Sequence, residues 1–312
     1  MEAYIFHHGA QPEEIIPDFE PALFNLPEFF LEKEPSGWLS FYALGKTGRA
    51  VAWLHFHVAG KVARSPAKAP FGSIECVENL NPSLLHDFLR YVETTLSEMG
   101  IREIYMKNPP RAYSPQTLSL VETFLLNLGY AVSDAEPGVT ISVNSKPFTQ
   151  VIRRSEMLRH KQAQRAGFSF RQIAEGQIDE VYGFILACHR EKGYKISIAL
   201  EDLSAAVKKF PGRYLLFGVF SDEQLLGATV SILVRKHILY NFLLNHEKRY
   251  NHLSPPVLLM EGLYNFCQAN SISLLDLGTS SLHGAPIFPL LDFKMHLGGG
   301  PTSKFSFYKK IA

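Results

Sequence analysis

The same plan occurs twice along this chain, at a nearly constant spacing. Residues 37–58 (GWLSFYALGKTGRAVAWLHFHV) form two runs rich in aromatic and β-branched residues around a Gly-Lys-Thr-Gly turn. Residues 212–234 (GRYLLFGVFSDEQLLGATVSILV) repeat that design around Ser-Asp-Glu-Gln. Both are hairpin chemistry, and Gly37 and Gly212 lie 175 residues apart. Asn81-Pro82 then opens a helix whose apolar face is Leu84, Leu85, Phe88, Leu89, Val92 and Leu96. Asn81 suits the N-cap, Pro82 the first helical position and Gly100 the C′ position. Ser254-Pro255-Pro256 opens a second helix with Leu259, Leu263 and Cys267 in one stripe, 173 residues after Pro82 as counted at Pro255. Each helix feeds an extended run, IREIYM and SISLLDLG. An offset kept through hairpin, helix and strand predicts an internal duplication. The expected fold class is α/β, with α+β mixed sheets in two tandem domains, because the hairpins impose antiparallel pairs. A length of 312 residues suits two such units. The expected boundaries are 1–148 and 149–312, with 149–167 as a connecting basic helix.

That joint, PFTQVIRRSEMLRHKQAQRAG (147–167), carries five Lys/Arg against one Glu, with Val151, Ile152, Ser155, Leu158, Gln162 and Ala166 at helical spacing. Two readings stand: a solvated basic face, or a contact for phosphates of CoA or RNA. The whole chain has a net charge of only +1, so no overall field draws in nucleic acid, and DNA is not an expected partner. Cys76, Cys188 and Cys267 are far apart with no CxxC pair, and no HExxH occurs, so neither a disulfide nor a metal is expected. The start MEAYIFHHGAQPEE has no apolar h-region, and no apolar run approaches the ~20 residues of a membrane span. These features predict a cytoplasmic protein with no membrane span.

In the second half, 168–173 reads as a strand, followed by helices near 177–191 and 201–210, the hairpin, a strand at 237–245, the Ser-Pro-Pro helix, a 272–278 strand and a final SKFSFYKK strand. This order resembles the GNAT acyltransferase fold. Within it, NHLSPPVLLMEGLYNFCQANSISLLDLGTSS followed by FKMHLGGG resembles the C-terminal half of FemAB-like acyltransferases, which join two GNAT-like domains. The matching residues are Asp276 and Gly278 of an Asp-x-Gly strand end, Gly284, and Phe293, Lys294 and Gly298 of Phe-Lys-x-x-x-Gly. RRSEMLRHKQAQRAGF also resembles the family's basic segment. The resemblance implies two tandem GNAT-like domains and transfer of an acyl group from an acyl thioester, acyl-CoA, to an amine of a small molecule or peptide. Aminoacyl-tRNA as the donor, with cell-wall or lipid amides as products, is the alternative, and RNA is a partner only in that case. A non-catalytic tandem domain that binds a peptide or nucleotide-linked metabolite is the reading from a different class. The chain departs from ordinary GNAT enzymes at 246–254, where His-Glu-Lys-Arg-Tyr-Asn-His-Leu-Ser replaces a glycine-containing phosphate loop.

Acyl transfer to an amine needs loss of a proton, a stabilised oxyanion and, for some leaving groups, a proton donor. Asp276 and His246 are candidate bases and Tyr240 a candidate proton donor. Asp276 reads equally as a brace for the Gly278-Thr279 turn, and His246 as an exposed side chain. Donor contacts are expected from Asn241, Asn251, Ser254, Gly278 and Thr279, with Ser254 also readable as a plain helix cap. The loop CHREKGYKISIALED (188–202) brings His189, Arg190, Lys192, Tyr194 and Lys195 together on the acceptor side, with Arg190, Tyr194 and Lys195 as acceptor contacts and Lys294 a fourth. The reacting groups are expected in a cleft between the domains, lined by 240–246, 251–254 and 276–294. The first domain reads as structural, or as an acceptor-side wall.

Overall fold

The computed structural model describes residues 4–10, 14–193, 196–282 and 284–311. The chain forms two compact units. The first holds the residues up to Pro137 together with Gly284–Ala285 and Thr302–Ile311, and the second holds Gly138–Leu282 and Pro286–Pro301.

The first unit is built from β1 (Ile5–Gly9), α1 (Pro27–Lys33), β2 (Trp38–Leu44), β3 (Ala50–Ala59), β4 (Val62–Ser65), the short β5 (Glu75–Cys76), α2 (Pro82–Glu98), β6 (Glu103–Lys107) and α3 (Pro115–Asn127). β7 (Ala131–Ser142) starts in this unit and ends in the second. The second unit continues with α4 (Phe148–Val151), α5 (Arg154–Arg165), β8 (Ser169–Ile173), α6 (Ile178–Glu191), α7 (Leu200–Lys209), β9 (Tyr214–Ser221), β10 (Gln224–Arg235) and β11 (Ile238–His246). After these come α8 (Pro255–Ala269), β12 (Leu274–Thr279), the two-residue strands β13 (Ser281–Leu282) and β14 (Ala285–Pro286), α9 (Phe288–His296) and β15 (Gly300–Lys310).

Strand order in the first unit is β1-β2-β3-β4-β6-β15, and in the second it is β8-β9-β10-β11-β12-β7. The two orders match element for element. β2–β3 and β9–β10 are antiparallel hairpins. β4 pairs parallel with β6, and β11 parallel with β12. A parallel neighbour requires a crossover, and α2 and α8 supply it at equivalent points. Asn81 Oδ1 caps α2 by accepting from the Ser83 N–H at 2.9 Å, and Gly100 ends it at φ +82°. The mixed α/β sheets expected from the hairpins are present.

The last strand of each unit comes from the other half of the sequence. β7, which follows α3, lays Thr140–Ser142 against Asp276–Leu274 of β12. β15, which follows α9, pairs Ser306–Lys310 with Lys107–Glu103 of β6. The unit boundary at 137/138 therefore does not coincide with the expected 148/149, and SKFSFYKK completes the first unit's sheet instead of the second's. The expected continuous helix over 147–167 is also two helices. Ile152 and Arg153 between them are extended, because Ile152 is buried and the Arg153 N–H donates to the His296 carbonyl at 2.8 Å.

Period-2 patterning gives the first sheet two covered faces. Leu39, Phe41, Leu54 and Phe56 face α2 in the main core, while Tyr42 and Trp53 pack under Ile15 and Phe19. His55 shares the latter face, its Nδ1 2.8 Å from Ser40 Oγ, and burial pushes its pKa down to about 3. The unfolded chain protonates this ring near the ordinary value of about 6.5 and the native state does not. Stability is therefore expected to be full above that pH and to fall as pH drops towards 3, by on the order of 5 kcal/mol at the acid end. Trp38 and Trp53 are the chain's only tryptophans, so their emission reports unfolding of this unit. His55→Gln should flatten the pH dependence of the denaturant midpoint; an unchanged acid limb would clear His55 of that role.

Candidate functional site

β11 and β12 part company inside the second unit. Ile238, Leu239 and Tyr240 lie opposite Leu274, Leu275 and Asp276, and the ladder ends there. β11 continues to His246 along β10, with Phe242 as an extra residue between Asn241–Ser231 and Leu243–Val230. β12 keeps to β7, with its own irregularity between Asp276 and Thr279. Bulges bend a strand and end its pairing locally. The β12-facing edge of 241–246 thus presents main-chain polar groups to which β12 offers no ladder partner.

One group of side chains converges where the strands separate. Gly278 is at φ +74°, a conformation that suits glycine, and its N–H donates to Asp276 Oδ1 at 2.7 Å. A Cβ at 278 would lie 3.4 Å from the Tyr240 ring, so Tyr240 closes over this turn. Lys294 of α9 reaches the same turn, donating to the carbonyls of Thr279 at 2.7 Å and Gly278 at 3.1 Å. Burial pushes the Lys294 ammonium down to about 8, and the Asp276 carboxylate opposes that shift. Asp276 is only 1% exposed. It braces the turn and supports the charge on Lys294 at the same time. Gly298, just after α9, meets α4 instead, since its φ is +86° and a Cβ there would come within 2.7 Å of the Val151 carbonyl.

A second group lines a cavity of about 310 Å³ beside the first, bounded by Arg159, His246, Asn251, Ser254, Pro256, Val257 and Phe293. His246 Nε2 lies 2.7 Å from Asn251 Oδ1, so this nitrogen carries the proton that the amide oxygen accepts. Lys192 Nζ donates to Asn245 Oδ1 at 2.6 Å and to the His246 carbonyl at 3.0 Å, and lies 3.5 Å from His246 Nδ1. Burial, with the Lys192 charge second, pushes the His246 pKa down to about 4. The ring is therefore half-buried, neutral at pH 7 and engaged at both nitrogens. Arg159 is held by both oxygens of the buried Glu156 at 3.0 and 3.1 Å.

The start of α8 differs from a phosphate cradle. Helix N-termini bind phosphate through unpaired N–H groups, but Pro255 and Pro256 have none, and the Val257 N–H donates back to the Ser254 carbonyl at 3.1 Å. Ser254 makes no side-chain cap; it sits in the left-handed region at φ 52°. A non-glycine residue there carries a strain of roughly 1–2 kcal/mol. Ser254→Gly is therefore expected to raise stability by about 1 kcal/mol, where a true cap would lose a few tenths. Thermal melting separates the two signs.

Tyr240, Asp276, Gly278, Thr279 and Lys294 thus form one group, and His246, Asn251 and Ser254 line the neighbouring cavity. Asn241 is drawn away, its Oδ1 accepting from Thr229 Oγ1 on β10. Arg190 is exposed on the last turn of α6, whose end at Glu191 matches the helix expected near 177–191, so this residue lies on the helix and not in the 188–202 loop. Tyr194 and Lys195 lie outside the described residues. Lys192 was expected in the acceptor loop, whereas Arg159 and Asn245 fell within the expected basic segment and the 240–246 lining without being singled out. Lys192 had a signal: it continues the buried stripe Val181, Ile185 and Cys188, so its cation points inward. Among the described residues, no three His, Cys, Asp or Glu side chains cluster as metal ligands.

No protein-family profile matches the chain, and no curated protein matches it. Solved structures do. FemX aligns with a TM-score of 0.70 at 10% identity, covering 94% of this chain and 93% of its own. L-PGS from Bacillus licheniformis aligns at 0.54 and 14% identity, covering 96% and 95%. A tandem GNAT protein from the clavulanic acid biosynthesis pathway aligns at 0.50 and 12%, covering 88% and 82%. Identities this low speak for fold, and the duplicated sheets, the parallel crossovers and these alignments together show that the chain has a FemAB-like tandem GNAT fold.

Proposed function

We infer that the second unit transfers an acyl group from an activated donor, an acyl thioester such as acyl-CoA, to an amine. The observation that carries this reading is the parting of β11 and β12 directly above the Lys294–Asp276 turn. In such a reaction the amine nitrogen attacks the carbonyl carbon, a C–N bond forms, and the carbonyl oxygen becomes an oxyanion. Main-chain N–H groups on the open edge of 241–245 are suited to receive that oxyanion. The intermediate collapses with loss of the leaving group, and the surplus proton on nitrogen passes to solvent, which can in turn restore the proton that the leaving group takes. Lys294, with a pKa near 8, is suited to pass a proton to the leaving group at neutral pH. His246 serves the site by orienting Asn251 at the cavity wall.

One observation favours a second donor, aminoacyl-tRNA. The proline-blocked start of α8 removes the main-chain donors that would hold a CoA pyrophosphate, leaving Arg159, Asn251 and Ser254 as side-chain contacts. Native mass spectrometry of the purified protein, with nuclease-treated and untreated samples, tests both. Co-purifying acyl-CoA supports the thioester, and co-purifying RNA supports the alternative. Absence of turnover with either donor over a panel of amines would favour a non-catalytic binding role.

A further inference from the structure

We propose that the second unit docks on anionic phospholipid surfaces through the outward faces of α5 and α9. The two helices expose chemistry that water alone does not explain. α9 reads Phe-Pro-Leu-Leu-Asp-Phe-Lys-Met-His, yet none of its residues is fully buried. Leu291, Phe293 and Met295 half-pack on the core, while Phe288 stands 65% exposed with Ile287 and Leu290 beside it. Its counterpart in the first unit, α3, buries Leu118, Val121 and Leu125. A contiguous exposed apolar cluster of this kind marks an interaction surface.

α5 supplies the charge. Its inner stripe of Glu156, His160 and Ala163 is buried. Its outer stripe of Arg154, Leu158, Lys161 and Arg165 is exposed, with Leu158 at 65%. Arg153 and Arg159 are exposed as well. This concentration of cations occurs on a chain whose net charge is +1. The two helices meet end to end: the Arg153 N–H donates to the His296 carbonyl at 2.8 Å, so α5 begins where α9 ends. Arg159 and Phe293 also line the same cavity. Cations beside protruding Phe and Leu complement an anionic interface, where headgroups take the charge and the acyl boundary takes the apolar side chains. Polyanionic RNA would use the basic stripe and leave Phe288, Ile287 and Leu290 in water.

The test is sedimentation of the full chain with vesicles of phosphatidylcholine alone or mixed with phosphatidylglycerol. Binding is expected only to the mixed vesicles and should weaken as salt rises. Arg154→Gln, Lys161→Gln and Arg165→Gln should each lower affinity about fivefold. Phe288→Ser should lower it about tenfold with no change in thermal transition, since the residue is exposed. Phe288→Trp should bind and show a blue-shifted emission component on the mixed vesicles. Equal binding to both vesicle types would overturn the proposal. So would full binding by Phe288→Ser, or retention of tRNA by the basic stripe with no vesicle binding.

Discussion

A chain ending at Gly299 is expected to lose the fold of its first unit, although the deleted residues follow the second unit in sequence. β15 pairs with the whole of β6 on the side away from β4. Phe307 is fully buried in the first core, Ile311 is 6% exposed, and the Ile311 N–H donates to the Arg102 carbonyl at 2.8 Å. Lys309 pairs with Glu93 of α2 and donates to the Leu128 carbonyl, tying the strand to both helices. Removing Phe307 alone by substitution with Ala should cost about 3–5 kcal/mol, a large share of the ~5–15 kcal/mol that holds a domain together. Removal of the strand adds an open sheet edge with unpaired main-chain groups. The expected results are exposed-type emission from Trp38 and Trp53 in the truncated chain, and a melting transition lowered by about 10 °C in Phe307→Ala. Native-like tryptophan emission from the truncated chain would show that β6 tolerates an open edge.

The second large effect is catalytic. Lys294→Met is expected to lower turnover by roughly 10²–10⁴-fold, the range for loss of a proton-transferring or charge-stabilising group. Stability should fall too, by about 3–5 kcal/mol, because the substitution leaves the buried Asp276 without its facing cation, so turnover is compared per folded molecule. The pH profile gives a sharper test than the rate alone. If the ammonium form acts, wild-type turnover is full below about 8 and declines above it. Asp276 favours the charged form of Lys294, so Asp276→Asn should move that decline to lower pH. Lys294→Arg keeps the charge at all accessible pH values and should remove the decline if any turnover survives. A Lys294→Met enzyme with normal turnover would sink the assignment, and the parted strands would then carry the chemistry through main chain alone.

How much of this was legible beforehand divides along physical lines. Local signals were read correctly where a residue acts on its own neighbours. Asn81, Pro82 and Gly100 bound α2 because capping and left-handed termination are decided within a few residues. Asp276 braces Gly278 across two residues, and that alternative was visible in Asp-Leu-Gly. Misreadings arose where a distant partner overrode a local pattern. The helical spacing of 147–167 continues through Ile152 and Arg153, yet the His296 carbonyl 143 residues later captures Arg153 and breaks the run. Ser254 looks like an N-cap, but it sits in the left-handed region and its side chain turns back towards Asn251.

The sequence by itself determined the duplication, the alternation of hairpin, helix and strand, and part of the set of polar residues from which the site is drawn. Each of these follows from period, propensity and spacing, which are properties of short stretches. Tertiary structure alone decided which strand closes which sheet. SKFSFYKK reads as the last strand of the second half and 131–142 carries no assignment, and nothing within either stretch says that Phe307 belongs under α2 while Ile141 lies against Leu275. Tertiary structure also decided that Lys294, Asp276 and Tyr240 meet where β11 and β12 part. The ladder ends because a bulge at Phe242 turns one strand away from the other. Strand pairing and desolvation depend on partners remote in the chain, so the edge that closes a sheet and the pKa of a buried lysine exist only once those partners have met.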